Sequence, residues 1–157
     1  MKNKTIIFVM ALLVFTPLVM AQELQVKAGV NPDSLFYGSD RFFEKARMFF
    51  TFGKENKINY GLKISEERIA EIKEMVNQTN QNALEKVISE RNRIKNQIEL
   101  NSVNVSEQMK IQIKQRLETQ SKEMVKLQTK TDSMNLKNII SAEIQKTNSL
   151  KTRIRGN

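Results

Sequence analysis

The sequence predicts an all-α protein: an elongated antiparallel helical hairpin or small bundle of four to five amphipathic helices behind an N-terminal signal sequence. Beyond residue 21 the chain is poor in Gly and Pro and rich in Lys, Glu, Gln, Asn and Ile, which favours helix. No stretch alternates like a half-buried strand, and apolar residues recur at spacings of three and four, which place them on one helix face. Removing 21 of 157 residues would leave 136, the size of one domain.

Residues 1–21 have the pattern of a secretory signal peptide. Lys2 and Lys4 give a positive start, residues 6–15 form an unbroken apolar run, and Ala21 is the small residue that a signal peptidase reads. We expect cleavage after Ala21. Retention as an uncleaved anchor is the alternative, although the stretch is short for a span of about 20 residues. The protein is therefore expected to be extracytoplasmic, secreted or tethered to the outer face of the membrane.

Residues 22–33 are predicted to form a short linker before the first helix. Asp33 or Ser34 can accept a hydrogen bond from the free amides of the first turn. Gly53 fits a C-terminal stop for this helix. All eight aromatic residues that follow the leader lie within residues 36–60, so the first helix is unusually aromatic.

Two interpretations of the aromatic helix are open. Its apolar residues recur at helical spacing, which favours a hydrophobic plug that packs this helix across the bundle, and we expect the plug. Alternatively, its phenylalanine pairs form an exposed face that meets a partner or a membrane interface, which requires a contiguous exposed apolar patch. The candidate residues for such an apolar interaction face are Phe42, Phe43, Phe49 and Phe50.

Heptad-like apolar stripes predict the second and third helices. The second helix is expected from about Glu55 to Val76, with Gly61 inside it at a cost of about 1 kcal/mol relative to Ala. The polar run 77–82 predicts a turn, and the third helix is expected to begin near Ala83 and to end at about Asn101. Short turns between amphipathic helices favour antiparallel neighbours.

A fourth stripe predicts a helix that Asn104 or Ser106 caps and that runs to Met134, where the predicted helical domain, residues 34–134, ends. Residues 135–157 continue the stripe out of register, as a fifth helix or as a continuation with a stutter.

Polar residues interrupt this last stripe, where Glu143 and Thr147 occupy positions that should be apolar. We therefore expect residues 135–157 to form a weakly packed basic helix or tail with a frayed end.

Basic residues are concentrated in the C-terminal third. Residues 109–157 hold 11 Lys and Arg against 4 Asp and Glu, whereas residues 22–108 hold 13 of each kind. This asymmetry indicates an anionic partner, which outside the cytoplasm means lipid headgroups, a cell-surface polymer or an acidic protein. A solvated helix face is the plainer interpretation. The candidate patch comprises Lys110, Lys114, Arg116, Lys122, Lys126, Lys130, Lys137, Lys151, Arg153 and Arg155.

The absence of Cys, His and Trp argues against an enzyme. The chain lacks the usual general base near neutral pH, the commonest metal ligand and the thiol nucleophile. Carboxylates such as Glu66, Glu67, Glu71 and Glu74 are expected to pair with basic neighbours on their own helix. We expect no catalytic residue, no metal and no cofactor, and an enzyme that uses only carboxylates is the most distant of three functional hypotheses.

Nucleic acid is a poor fit as a partner, because no aromatic residue lies in the basic third to stack on bases. Two glycosylation sequons, at Asn77 and Asn104, lie in predicted turns and are candidate modification sites in an exported protein.

Several motifs occur in a characteristic order: NPDSLFY at 31–37, DRFFEK at 40–45, FFTF at 49–52 and SEERIAEI at 65–72. They resemble the domain-of-unknown-function 5667 family, found in exported archaeal proteins and beside some bacterial anti-sigma-factor regions. The resemblance covers about residues 31–120, with Gly-Lys-Glu at 53–55 in place of the usual Asp-Pro-Glu. It implies an exported helical domain and offers no catalytic residues.

The sequence thus predicts a non-enzymatic, exported helical interaction module that binds an anionic surface or a protein partner. The alternative is a periplasmic-type holding chaperone, which would resemble the small helical spheroplast-protein and Cpx-inhibitor group. Those proteins are basic, exported helical hairpins, but their Leu-Thr-x-x-Gln signature is missing here. The partner and the oligomeric state are left open.

Overall fold

The computed structural model describes residues 29–30 and 34–156, so the predicted leader and most of the linker lie outside the described residues. The described part contains five helices and no strand, which confirms the all-α prediction. In the same part, no helix is both long enough and apolar enough to cross a membrane. The helices are α1 (Tyr37–Phe50), α2 (Lys54–Asn77), α3 (Gln81–Asn101), α4 (Glu107–Lys130) and α5 (Met134–Gly156).

Helices α2 to α5 form a four-helix bundle made of two antiparallel hairpins, α2–α3 and α4–α5. The hairpins lie side by side, with α2 along α4 and α3 along α5. Two hydrogen bonds give the relative direction of α2 and α4. At the start of both helices Ser106 Oγ donates to Glu55 at 2.9 Å, and farther along both Ser65 Oγ donates to Gln120 at 2.9 Å. Helices α2 and α4 are therefore parallel, and short turns join each helix to the next.

Side-chain caps set the starts of α3 and α4. Asn80 accepts a hydrogen bond from the Ala83 amide at 3.1 Å, and Ser106 accepts one from the Met109 amide at 3.2 Å. Of the two predicted caps for α4, Asn104 and Ser106, the structure has Ser106. Thr131 has an extended backbone after α4, so α5 is a separate fifth helix and the alternative of a stuttered continuation is wrong.

The ends of α1 differ from the prediction. Among the described residues no side chain caps the helix; the Ser34 hydroxyl instead accepts from the Phe36 amide ahead of the first turn, at 3.2 Å. Asp33 lies outside the described residues. Gly53 does not terminate α1, which ends at Phe50; with φ 82° it reverses the chain immediately before α2. A glycine is favoured there because this backbone conformation strains residues with a Cβ.

The core consists of two apolar clusters at opposite ends of the bundle. The cluster near the α2–α3 turn contains Ile69, Ile72, Met75, Val76, Ala83, Leu84, Val87, Ile88, Met124, Leu127, Leu136 and Ile140. The cluster at the other end contains Ile58, Leu62, Ile64, Ile94, Ile98, Met109, Ile113, Leu117, Leu150 and Ile154. Every helix of the bundle contributes to both clusters, so α5 is packed along its length.

A buried polar layer separates the two clusters; its members are Ser65, Arg91, Lys95, Gln120, Glu143 and Thr147. The Arg91 guanidinium donates to Gln120 at 2.8 Å and to the carboxylate of Glu143. Lys95 Nζ donates to the same carboxylate oxygen at 2.7 Å. The expectation that polar positions weaken the packing of α5 is wrong, because these residues meet partners from the other helices.

The polar layer carries an excess positive charge, since a single carboxylate, Glu143, faces two cations, Arg91 and Lys95. Burial, together with the neighbouring Arg91, lowers the pKa of Lys95 to about 8, against the opposing effect of Glu143. The layer is therefore sensitive to any loss of its carboxylate.

Candidate interaction face on the first helix

Helix α1 packs against the α2–α3 hairpin through its polar side. Tyr37, Arg41, Glu44 and Met48 recur at spacings of four and three and point toward the bundle. The Tyr37 ring lies 5.1 Å from the ammonium of Lys86 on α3. Two of these four inward residues, Arg41 and Glu44, are charged, whereas an ordinary surface helix turns an apolar stripe toward the core.

A charge cluster of Arg41, Glu44, Arg68 and Glu71 joins α1 to α2. Arg41 donates to Glu44 at 2.7 Å and to Glu71 at 3.1 Å. Arg68 of α2 donates to the same two carboxylates from the other side. Glu44 and Glu71 thus each accept hydrogen bonds from both guanidiniums beneath α1, although Arg41 Nε and Arg68 Nε find no acceptor among the described residues. The sequence predicted that Glu71 would pair along its own helix, and it also pairs with Arg41 of α1.

Burial raises the pKa of Glu44 and of Glu71 to about 7, and the Arg41 guanidinium opposes the shift in both. Burial also raises the pKa of Tyr37 to about 12. Taking these groups out of water costs free energy that the ion pairs offset only when each charge keeps its partner. The orientation of α1 therefore depends on matched charges.

The opposite side of α1 and its flanks present seven apolar residues to solvent, here called the aromatic face: Leu35, Phe36, Phe42, Phe43, Phe49, Phe50 and Phe52. The six phenylalanines are 66–84% exposed. Their rings meet edge to face, at 5.9 Å between Phe42 and Phe43 and 5.4 Å between Phe49 and Phe50. The expected hydrophobic plug is wrong, because the charge cluster occupies the side that faces the bundle.

The aromatic face is large for a surface. One phenylalanine side chain offers on the order of 150–250 Å², so six rings at about two-thirds exposure present on the order of 600–1,000 Å². The largest apolar patch of a typical monomer covers about 300–600 Å². Phe36, Phe43 and Phe50 are seven residues apart, which places them along one stripe of the helix.

Cations border the aromatic face. Lys45 and Arg47 are exposed on α1, and Lys54 and Lys57 follow at the start of α2. Lys54 donates to the Val103 carbonyl at 3.1 Å, so its ammonium stays near this end of the bundle. Neither Lys45 nor Lys57 forms an ion pair with any carboxylate in the described part of the chain. The border of the face is therefore open to anionic groups.

A model of the family described as Domain of unknown function (DUF5667) matches residues 29–155. The chain belongs to this family. The resemblance seen in the sequence is thereby confirmed, and the match extends beyond residue 120 to include α5. No curated protein and no solved structure matches the chain.

In this DUF5667 chain the predicted basic patch is spread along α4 and α5. Six of its members are tied to carboxylates: Lys110, Arg116, Lys122, Lys126, Lys151 and Arg153. Three of these pairs join helices. Arg116 binds Glu66 of α2 through two 2.7 Å bonds, Arg153 binds Glu99 of α3, and Lys151 of α5 binds Glu118 of α4.

Lys114, Lys130 and Lys137 have no ion pair within residues 34–156, and the side chain of Arg155 lies outside the described residues. Much of the positive charge therefore links helices, and recognition of an anionic partner by this patch stays a prediction.

The sequence placed both sequon asparagines in turns, which is right for Asn104 and wrong by one residue for Asn77. Asn77 is the last residue of α2, and Asn104 lies in the α3–α4 connection with φ 60°; both are exposed. Their glycosylation stays a prediction. Across the described ranges no group of three or more His, Cys, Asp and Glu residues is arranged to hold a metal ion.

Proposed function

We propose that this protein is a non-enzymatic, exported helical module that docks on the surface of an anionic lipid bilayer through the aromatic face of α1. The observation that carries the proposal is the inverted orientation of this helix, with its charged side against the bundle and six phenylalanines toward solvent. A helix that lies in a membrane interface presents Phe, Trp or Leu to the acyl chains and basic residues to the headgroups.

Insertion of the aromatic face supplies the apolar contribution. Fully burying one phenylalanine side chain is worth about 1.5–3 kcal/mol. Partial insertion of the rings of Phe36, Phe43 and Phe50 alone therefore contributes several kcal/mol before the costs of association. This apolar gain is available to any bilayer, so by itself it does not select an anionic surface.

Electrostatic attraction supplies the preference for anionic lipid. Each cation near an anionic surface contributes about 1 kcal/mol at low ionic strength. Lys45, Arg47, Lys54 and Lys57 border the aromatic face, and the formal net charge of the chain is +9. The position of α1 in the sequence also fits, because a retained leader would hold residue 34 within reach of the membrane through a linker of only 12 residues.

Vesicle co-sedimentation tests the proposal, using the protein as expressing cells export it. Vesicles of equimolar phosphatidylcholine and phosphatidylglycerol are compared with vesicles of phosphatidylcholine alone. The variant Phe43→Ser/Phe50→Ser is expected to lose binding. The control Ile111→Ser/Val125→Ser, which removes exposed apolar side chains from α4, is expected to bind like the parent.

Binding that persists in the α1 variant, or that is equally strong on zwitterionic vesicles, would count against the proposal. A holding chaperone would instead suppress client aggregation near stoichiometric ratios and lose that activity in Phe43→Ser/Phe50→Ser. If the parent protein suppresses client aggregation but does not bind vesicles, the partner of the aromatic face is an unfolded protein and not a lipid surface.

A further inference from the structure

An open groove of about 450 Å³ runs between the C-terminal half of α1 and the α2–α3 hairpin. Its floor contains Ile64 and Ile94, both buried in the core. Met48 and Phe49 of α1 line it on one side, and Leu100 of α3 lines it as well. The volume lies within the range of about 300–1,000 Å³ that small-molecule sites occupy, and such sites are mostly apolar with a few polar groups.

Three cations also line the groove: Lys45, Lys57 and Arg93. Arg93 forms an exposed ion pair with Glu90 at 3.1 Å, whereas Lys45 and Lys57 have no carboxylate partner in the described part of the chain. The single carboxylate in the lining, Glu44, is already bound by Arg41 and Arg68. The groove therefore combines an apolar floor with unbalanced positive charge.

An apolar floor with a positive border fits an amphiphile that has a hydrocarbon body and an anionic head. Phe49 belongs both to the aromatic face and to the groove, so the two surfaces are continuous. A bilayer in contact with the aromatic face would place acyl chains and headgroups at the mouth of the groove. This reasoning rests on the proposed function for the source of the ligand.

We propose that the groove binds one acyl chain of an anionic phospholipid, with the chain over Ile64 and Ile94 and the phosphate among Lys45, Lys57 and Arg93. Docking and lipid capture are then two separate steps. The aromatic face contacts the bilayer, and the groove holds a single lipid molecule.

A soluble lipid separates the two steps, because it requires no bilayer. Lysophosphatidylglycerol, kept below its micelle concentration, is titrated into the protein and followed by calorimetry and native mass spectrometry. One molecule per chain is expected to bind, more tightly than lysophosphatidylcholine, which carries no net charge.

The charge reversal Lys57→Glu/Arg93→Glu is expected to weaken lysophosphatidylglycerol binding on the order of thirty-fold or more. The matched control Lys63→Glu/Lys73→Glu makes the same charge change at exposed positions of α2 outside the groove and is expected to bind like the parent. Phe43→Ser/Phe50→Ser, whose residues do not line the groove, is expected to keep lysolipid binding while losing vesicle binding.

Equal weakening in the two charge reversals, or equal affinity for the two lysolipids, would overturn the groove proposal. Loss of lysolipid binding in Phe43→Ser/Phe50→Ser would place the ligand on the aromatic face and overturn it as well. Lysolipid binding without vesicle binding would leave the groove site in place and contradict only the proposed docking on bilayers.

Discussion

Replacing Glu143 by Gln is expected to destabilise the bundle by about 3–5 kcal/mol, the usual cost when one partner of a buried ion pair is removed. Glu143 is 1% exposed and is the only carboxylate that faces Arg91 and Lys95 in the polar layer. The substitution keeps the size and one acceptor oxygen of the side chain. It removes the charge, and two buried cations then lack a counter-ion.

The second cation gives the experiment an internal control. Lys95→Met leaves one guanidinium opposite one carboxylate, so we expect it to change the stability by less than about 1 kcal/mol or to increase it. In the Lys95→Met background, Glu143→Gln leaves only Arg91 uncompensated. We expect its cost there to fall by about 1–3 kcal/mol, the range of coupling energies for residues in contact.

Urea unfolding followed by circular dichroism at pH 7 gives the four free energies of this cycle. Equal urea dependence of the free energy in all four proteins would show that the same surface is exposed on unfolding. If the stability of Glu143→Gln stays within about 0.5 kcal/mol of the parent, as is usual for a surface substitution, the charges of the polar layer are not buried as described. An equal cost in both Lys95 backgrounds would show that Lys95 and Glu143 do not interact.

Two further predictions concern the polar layer and the glycines. Because the pKa of Lys95 is about 8 in the folded protein and 10.5 in the unfolded chain, the unfolded chain holds a proton between these values that the folded protein has released. Stability should therefore rise as the pH rises from about 8 toward about 10.5. Urea midpoints should show this rise in the parent and lack it in Lys95→Met. Gly61→Ala should destabilise despite a gain of about 1 kcal/mol in helix propensity, because its Cβ would lie 2.9 Å from Ile98 Cγ1 in a packed core. Gly38→Ala is the matched control, since its Cβ would have no described atom within 4 Å beyond its chain neighbours and the local helix backbone, and thermal unfolding should show it stabilised. Stabilisation by Gly61→Ala, or destabilisation by Gly38→Ala, would contradict the packing described.

The bundle could be predicted because periodicity alone marks which side of a helix faces inward. Helices α2, α3 and α4 each have a single apolar side, so the apolar positions of their sequences identified the core. The same periodicity could not say what polar inward positions would meet. Gln120 and Glu143 each accept a hydrogen bond from Arg91, which lies 29 and 52 residues away, and only the packing of the hairpins brings them together.

The orientation of α1 could not be predicted for a related reason. This helix has two candidate inward sides, one aromatic and one charged, and hydrophobicity favours the aromatic one. The charged side faces the bundle because Arg68 and Glu71 of α2 carry charges opposite to those of Glu44 and Arg41. A usable signal was present, since charges at 41, 44, 68 and 71 alternate at helical spacing on two neighbouring helices. Recognising it requires knowing that α1 runs antiparallel to α2, which brings position 41 to position 71 and position 44 to position 68.

The most direct test of bilayer docking uses the absence of tryptophan from the chain. In Phe43→Trp the single indole reports the environment of the aromatic face, and in Val125→Trp it reports an exposed position on α4. On adding equimolar phosphatidylcholine–phosphatidylglycerol vesicles, we expect a blue shift at position 43, with quenching by brominated acyl chains, and neither effect at position 125. An unchanged spectrum at position 43, or equal shifts at both positions, would contradict docking through α1.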